Sequence, residues 1–135
     1  MPSQSPDRSH RPLSRLDMSL SISQDEYKTR LEAAQTRLME IYQAYLRHGH
    51  TGVVVMEGWD AAGKGGAIRR MSAVMDPRAL KVWPIAAPNE VDQRRHYLAR
   101  FWEKLPPSGE ISVFDRSWYG RVLVERVEGF AEPSA

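Results

Sequence analysis

The 135-residue chain is 41% hydrophobic and 27% charged, a balance that suits one soluble globular domain of modest size. It has no cysteine, which removes disulfides, thiolate catalysis and cysteine-based metal sites and sits easily with a cytoplasmic setting. Net charge is only +2, too small to indicate a nucleic-acid binder, and no apolar run reaches the roughly 18 residues of a membrane span.

Residues 1–22 are rich in Ser, Pro and Arg and lack the apolar stretch of a secretory signal. They bury too little surface to offset ordering entropy, so a disordered or loosely docked arm is expected, with Leu13, Leu16 and Leu20 as a docking segment. A single domain is read over residues 23–135. Ser23 and Glu26 form an S-x-x-E capping box. Tyr27, Leu31, Ala34, Leu38, Ile41 and Tyr45 then recur every three or four residues, the stripe of a long amphipathic helix ending at Gly49.

"TGVVVME" is β-branched without polar alternation, as in a strand buried on both faces of a parallel sheet. A glycine-rich loop follows, and "KGGAIRRMSAVM" reads as a helix. "ALKVWPI", residues 79–85, is a second strand, which Pro84 marks as an edge strand or as ending there. Residues 89–105 read as one helix, with Asn89 as N-cap and Val91, Tyr97, Leu98, Phe101, Trp102 and Leu105 packing inward. "EISVFD" is the third strand, and "RSWYGRVLVERVEGF" a loop and helix. The βαβαβ rhythm predicts an α/β fold with a parallel sheet and helices on its faces.

Gly58 to Lys64 spells G-x-x-x-x-G-K between strand and helix, the Walker A or P-loop context. Small residues let the backbone N–H groups of Gly58, Ala61, Ala62, Gly63, Gly65 and Gly66 approach phosphate oxygens, and the helix N-terminus adds partial positive charge. Lys64 adds a mobile cation. The Ser or Thr that usually follows the lysine and holds Mg²⁺ is replaced by Gly65. Two acids are candidates to compensate. Asp60 lies inside the loop, and Asp115 ends an apolar strand as in a Walker B element. In a parallel sheet, strand ends gather on one edge, where two carboxylates, waters and phosphate oxygens suit Mg²⁺. Taken separately, Asp60 as a turn-forming side chain and Asp115 as a helix cap remain alternatives. Arg116, Arg121 and Arg69 are candidates for holding a polyanion, and Trp59, Trp118 and Tyr119 for either packing or bordering a substrate channel.

Three blocks, "EGWDAAGKGGAIRR", "PIAAPNEVDQRRHYLARFWEKLP" and "FDRSWYGRVLVERVEGF", resemble the polyphosphate kinase 2 family over about residues 23–131. The resemblance implies a three-layer P-loop kinase fold similar to thymidylate kinase. It implies Mg²⁺-dependent phosphoryl transfer between inorganic polyphosphate and a purine nucleotide: AMP or ADP as acceptor, ATP as product, or the GDP/GTP pair. It places Asp60, Lys64, Asp115 and Arg116 on functional motif positions and Arg121 on a basic position. "PIAAP" and "WYGRVLVERVEGF" look more like the polyphosphate:AMP branch. Family domains continue past the "VERVEGF" segment, so this chain is expected to supply strands in the order 2-3-1 only, without the lid. The P-loop strand would then be an exposed edge with an uncovered apolar face. A fragment or truncated gene product is expected, or a homo-oligomer associating through that edge. Two rivals remain: a catalytically incomplete fragment that binds phosphate or a partner chain, and a different P-loop nucleotide kinase or NTPase.

Overall fold

A computed structural model describes residues 16–127 and Gly129. Leu13 and the rest of residues 1–15 lie outside the described residues, as do residues 128 and 130–135. Residues 16–23 form no helix or strand. Leu16 and Leu20 are exposed rather than docked, with Leu20 at 81%.

Helix α1 spans Gln24–His48, capped by Ser23, whose hydroxyl accepts the Glu26 N–H at 3.2 Å. The reciprocal half of the expected box does not form, because the Glu26 carboxylate pairs with Arg30 one turn on. Gly49 ends the helix at φ 65°, a left-handed conformation that costs glycine little. The apolar stripe is narrower than the spacing suggested. Tyr42 is buried and Leu38 and Tyr45 pack beside it, while Tyr27 and Ile41 stay partly exposed. Tyr27 lies instead beneath the Arg70 guanidinium, 5.6 Å from it.

Strands β1 (Gly52–Met56), β2 (Leu80–Pro84) and β3 (Ile111–Asp115) form a parallel sheet in the order β1-β3-β2. This is the expected 2-3-1 arrangement. β3 is central and almost wholly buried, while the glycine-loop strand β1 is an edge, with Val53 43% exposed. Alternation along β3 assigns its two faces. Ile111 and Val113 join Tyr42, Met75, Leu80 and Ile68 of helix α2 (Lys64–Ser72) in the core under α1.

Ser112 and Phe114 point the other way. Phe114, with no exposed surface, meets Phe101 and Trp118 at ring centroid distances of 6.1 and 5.9 Å. The buried Ser112 hydroxyl donates to the Lys104 carbonyl at 2.8 Å and accepts from the Trp83 indole at 3.3 Å, so its burial leaves no polar group unpaired. The sheet is thus covered on both faces, giving three layers.

The single helix expected over residues 89–105 is two short ones, α3 (Glu90–Gln93) and α4 (Ala99–Trp102). Asn89 caps α3 in a full capping box with Asp92. The break follows from local competition. The His96 ring nitrogen Nδ1 accepts the Leu98 N–H at 3.3 Å, where a helix would place a backbone carbonyl. The break also turns side chains outward. Phe101 is buried, but Val91, Trp102 and Leu105 are 63%, 57% and 49% exposed. After β3 the chain enters a π-helix, Arg121–Arg126, rather than a regular α-helix. No helix among the described residues is long and apolar enough to cross a membrane.

Candidate active site

Met56, Asp115 and Pro84 are aligned in register at the carboxyl ends of the three strands. The segments that leave those strands therefore start from one edge of the sheet, the position where open parallel sheets bind ligands. Two backbone bonds extend the pairing beyond the strand ends: Arg116 N–H to the Met56 carbonyl and Ile85 N–H to the Asp115 carbonyl, both 3.0 Å.

The first of two cavities there, about 490 Å³, is lined by Asp60 to Gly65, Pro84, Ile85, Asp115 and Arg116. Asp60, Lys64, Asp115 and Arg116 thus share one cavity, with Ala61, Ala62, Gly63 and Gly65 in its wall. Gly58, Gly66 and Arg69 do not line it. Arg69 lies exposed on α2, and Arg121 lines the neighbouring cavity instead.

Helix α2 starts at Lys64. Its N-cap is Gly63 at φ 91°, where a side chain would be strained, and no side chain caps its amides. With no acid in its first turn, the helix presents unsatisfied N–H groups and partial positive charge at the cavity. The Lys64 ammonium donates to the carbonyls of Gly58 and Trp59 at 2.7 and 2.9 Å, so its charge is held over the loop.

Two non-glycine residues have positive φ among the described residues, Ala61 (60°) and Arg116 (68°), and both line this cavity. Such a conformation costs about 1–2 kcal/mol per residue, and backbone strain of this kind concentrates at functional sites.

Asp60 is 95% exposed at the side chain, and its carboxylate accepts from the Arg116 guanidinium at 3.3 Å. An exposed ion pair contributes at most about 1 kcal/mol, so it is easily exchanged for another cation. Among the described residues no group of three or more His, Cys, Asp or Glu side chains gathers as a metal cage. Any metal here would rely on two carboxylates plus ligand and water oxygens.

The second cavity, about 790 Å³, adjoins the first and shares Ile85 and Arg116 with it. Its wall is aromatic and basic, with Tyr97, Phe101 and Trp118 beside Arg95, Arg100 and Arg121. Arg100 is fixed there, donating to the Ala86 carbonyl at 2.7 Å and pairing with Asp92 at 3.5 Å. The Arg121 guanidinium lies 5.6 Å from the Tyr97 ring centre. Trp118 both packs on Phe101 and Phe114 and lines this cavity, which joins the two roles left open for it.

The sequence analysis singled out neither His96, which lacks ligand spacing, nor Arg95, which reads as a solvated surface charge. The break between α3 and α4 brings both to the cavity wall. It also missed Glu57 and Ser117. The sole sequence signal was a polar pair flanking the two motif segments.

Known proteins resemble this chain in sequence and in fold. The family model for polyphosphate kinase 2 matches residues 21–135. A polyphosphate:AMP phosphotransferase of Pseudomonas syringae pv. tomato is 51% identical over 122 residues, which are 90% of this chain and 24% of that protein. An ADP-polyphosphate phosphotransferase of Pseudomonas aeruginosa is 42% identical over 81% of this chain and 36% of its own length. The crystal structure of polyphosphate kinase 2 from Arthrobacter aurescens TC1 superposes with a TM-score of 0.78 at 27% identity, covering 93% of this chain and 48% of that one. The chain therefore spans about a quarter to a half of the length of these relatives, and with the family model matching most of it, it belongs to the polyphosphate kinase 2 family.

Proposed function

We propose that this chain carries the phosphate-handling part of a polyphosphate:nucleotide phosphotransferase. One observation carries the reading: Arg116 lines both cavities, one suited to a phosphate chain and the other to a planar base with an anionic tail. The loop amides, the α2 N-terminus and Lys64 would hold the terminal phosphates of polyphosphate. The aromatic and arginine wall of the second cavity would hold a purine nucleotide, with AMP as acceptor favoured by the names of two relatives that are 51% and 48% identical to this chain. A phosphate oxygen of the nucleotide would attack the terminal phosphorus of polyphosphate. The bond to the bridging oxygen would break, and a chain shorter by one phosphate would leave.

Such a transfer needs positioning and charge compensation more than covalent chemistry. Arg116 at the junction is suited to supplying charge at the phosphoryl group in passage. Asp60 and Asp115 are the hard oxygen donors that would hold Mg²⁺, and the bound ion would supply further neutralisation of the bridged phosphates.

The test is an assay of the purified chain with polyphosphate as sole phosphate donor and AMP, ADP or GDP as acceptor, repeated with Lys64→Ala and Asp115→Asn. Turnover with polyphosphate that both substitutions weaken supports the reading. Turnover with ATP but not polyphosphate points to another P-loop kinase or NTPase. Binding of polyphosphate without turnover points to a phosphate-binding module.

Among the described residues β1 pairs on one side only and Val53 is partly exposed, which favours association along that edge. Sedimentation across a concentration series tests it, and a monomer at every concentration excludes it.

A further inference from the structure

We propose that Glu57 and Ser117 form a clamp that holds Arg116 at the junction of the two cavities, and that transfer depends on it. The kinetic half of this proposal rests on the phosphotransferase reading above. Glu57 is the first residue after β1, and Ser117 is the second after β3. The Ser117 hydroxyl, 4% exposed as a residue, donates to Glu57 Oε1 at 2.7 Å and accepts the Tyr119 N–H at 3.2 Å. One step earlier, the Arg116 N–H donates to the Met56 carbonyl at 3.0 Å. Two consecutive tethers therefore bind the segment leaving β3 to the segment leaving β1.

Arg116 lies between those tethers with φ at 68°. A non-glycine residue keeps that conformation only where its surroundings over-determine it. The Met56 bond fixes its amide side and the Glu57 bond fixes the residue that follows. Without the second tether the backbone can relax to negative φ, which re-aims the guanidinium that both cavities share. A hydrogen bond to an ionised carboxylate is among the stronger kind, and a buried hydroxyl whose acceptor is removed is costly to leave unpaired. Glu57 also carries negative charge beside a loop built for anions. Engaging that charge with a hydroxyl on the neighbouring segment turns it into a latch. Glu57 and Ser117 are positioning residues that act through Arg116.

The experiment compares the full chain with Glu57→Ala, Glu57→Gln, Ser117→Ala and the Glu57→Ala/Ser117→Ala double variant. It measures hydrogen exchange of the Arg116 amide, together with kcat and KM for polyphosphate and AMP per folded molecule. Expected are faster Arg116 exchange and a kcat lower by about tenfold or more in each alanine variant, with little change in KM. The double variant should be no worse than either single one. Glu57→Gln, which keeps an acceptor oxygen, should recover most of both losses.

The clamp is overturned if Arg116 exchange is the same in all variants. It is also overturned if the alanine variants melt earlier yet keep wild-type kcat, or if the two single effects multiply. A wild-type chain without turnover overturns the phosphotransferase reading and with it the kinetic half. The exchange of the Arg116 amide then decides the latch alone.

Discussion

The guanidinium of Arg116 and the carboxylate of Asp60, 56 positions apart in the chain, meet at 3.3 Å across the mouth of the glycine-loop cavity. Sequence reasoning paired Asp60 with Asp115 through a shared metal. The fold brings both acids to one cavity and gives Asp60 an arginine as its present counter-charge. The pair is exposed, so its replacement by a metal would cost little. We expect Asp60→Asn and Asp115→Asn each to raise the Mg²⁺ concentration needed for half-maximal turnover by at least about tenfold, since each removes one hard ligand. Initial rates across a Mg²⁺ series at fixed polyphosphate check this. An unchanged Mg²⁺ dependence in both variants would remove the two acids as ligands.

Lys64 is expected to matter for turnover far more than for folding. Its ammonium contacts only loop carbonyls, those of Gly58 and Trp59, and takes no part in the core. Lys64→Ala should lower kcat on the order of a hundredfold or more, the usual scale for losing one well-placed donor to developing charge, while the melting temperature barely moves. Lys64→Arg keeps the charge but replaces a compact ammonium with a wider fork and should recover only a small part. A melting temperature lowered as strongly as that of a core variant would mark Lys64 as a structural residue.

The outline of this fold was legible because it depends on short-range pattern. Ser23 and Gly49 bracket α1, a β-branched run marks β1, a short mostly apolar segment ending in an acid marks β3, and the glycine loop lies between strand and helix. Pro84 marked β2 as an edge or ending strand, and the edge position of β1 followed from the strand order that the resemblance implied. The break at residues 94–98 was not legible. It turns on one His96 ring nitrogen capturing one backbone N–H, which periodicity does not register. That break brings Arg95, His96 and Tyr97 to the wall of the second cavity, so the cavity was invisible too. The Glu57–Ser117 bond joins residues 60 positions apart and depends on the register of β1 against β3. No local pattern encodes that register.

Phe114 is the residue on which the sheet's second face turns. It has no exposed surface and lies between Phe101 and Trp118. Phe114→Ala should destabilise the chain by about 3–5 kcal/mol, and Phe114→Leu by markedly less because most of the volume is kept. Because Trp118 also lines the second cavity, Phe114→Ala should raise KM for the nucleotide more than KM for polyphosphate. Urea unfolding and the two KM values check this, and equal rises in both would argue against a separate acceptor wall.

The turn between α2 and β2 carries a pH dependence whose sign follows from one pair. Hydrogen bonds from the Arg78 side chain, Nη2 at 2.6 Å and Nε at 3.0 Å, come first, with the Arg78 backbone N–H at 2.9 Å, in holding the Asp76 carboxyl down at about 2. The same residue's carbonyl accepts the Ala79 and Leu80 N–H groups that lead into β2. A carboxyl whose pKa falls on folding stabilises the native state fully above its unfolded value of about 3.9. That contribution fades as pH drops from there toward 2, where the native carboxyl is protonated as well. Asp76→Asn, which cannot ionise, should therefore melt below wild type near neutrality, and the gap should close between pH 4 and pH 2. The pair is solvent-exposed, so the gap should be small and should shrink in high salt. Thermal melts of both proteins at matched pH and ionic strength measure it, and a gap that stays constant from pH 6 to pH 2 would show that the charge of Asp76 contributes nothing to the turn.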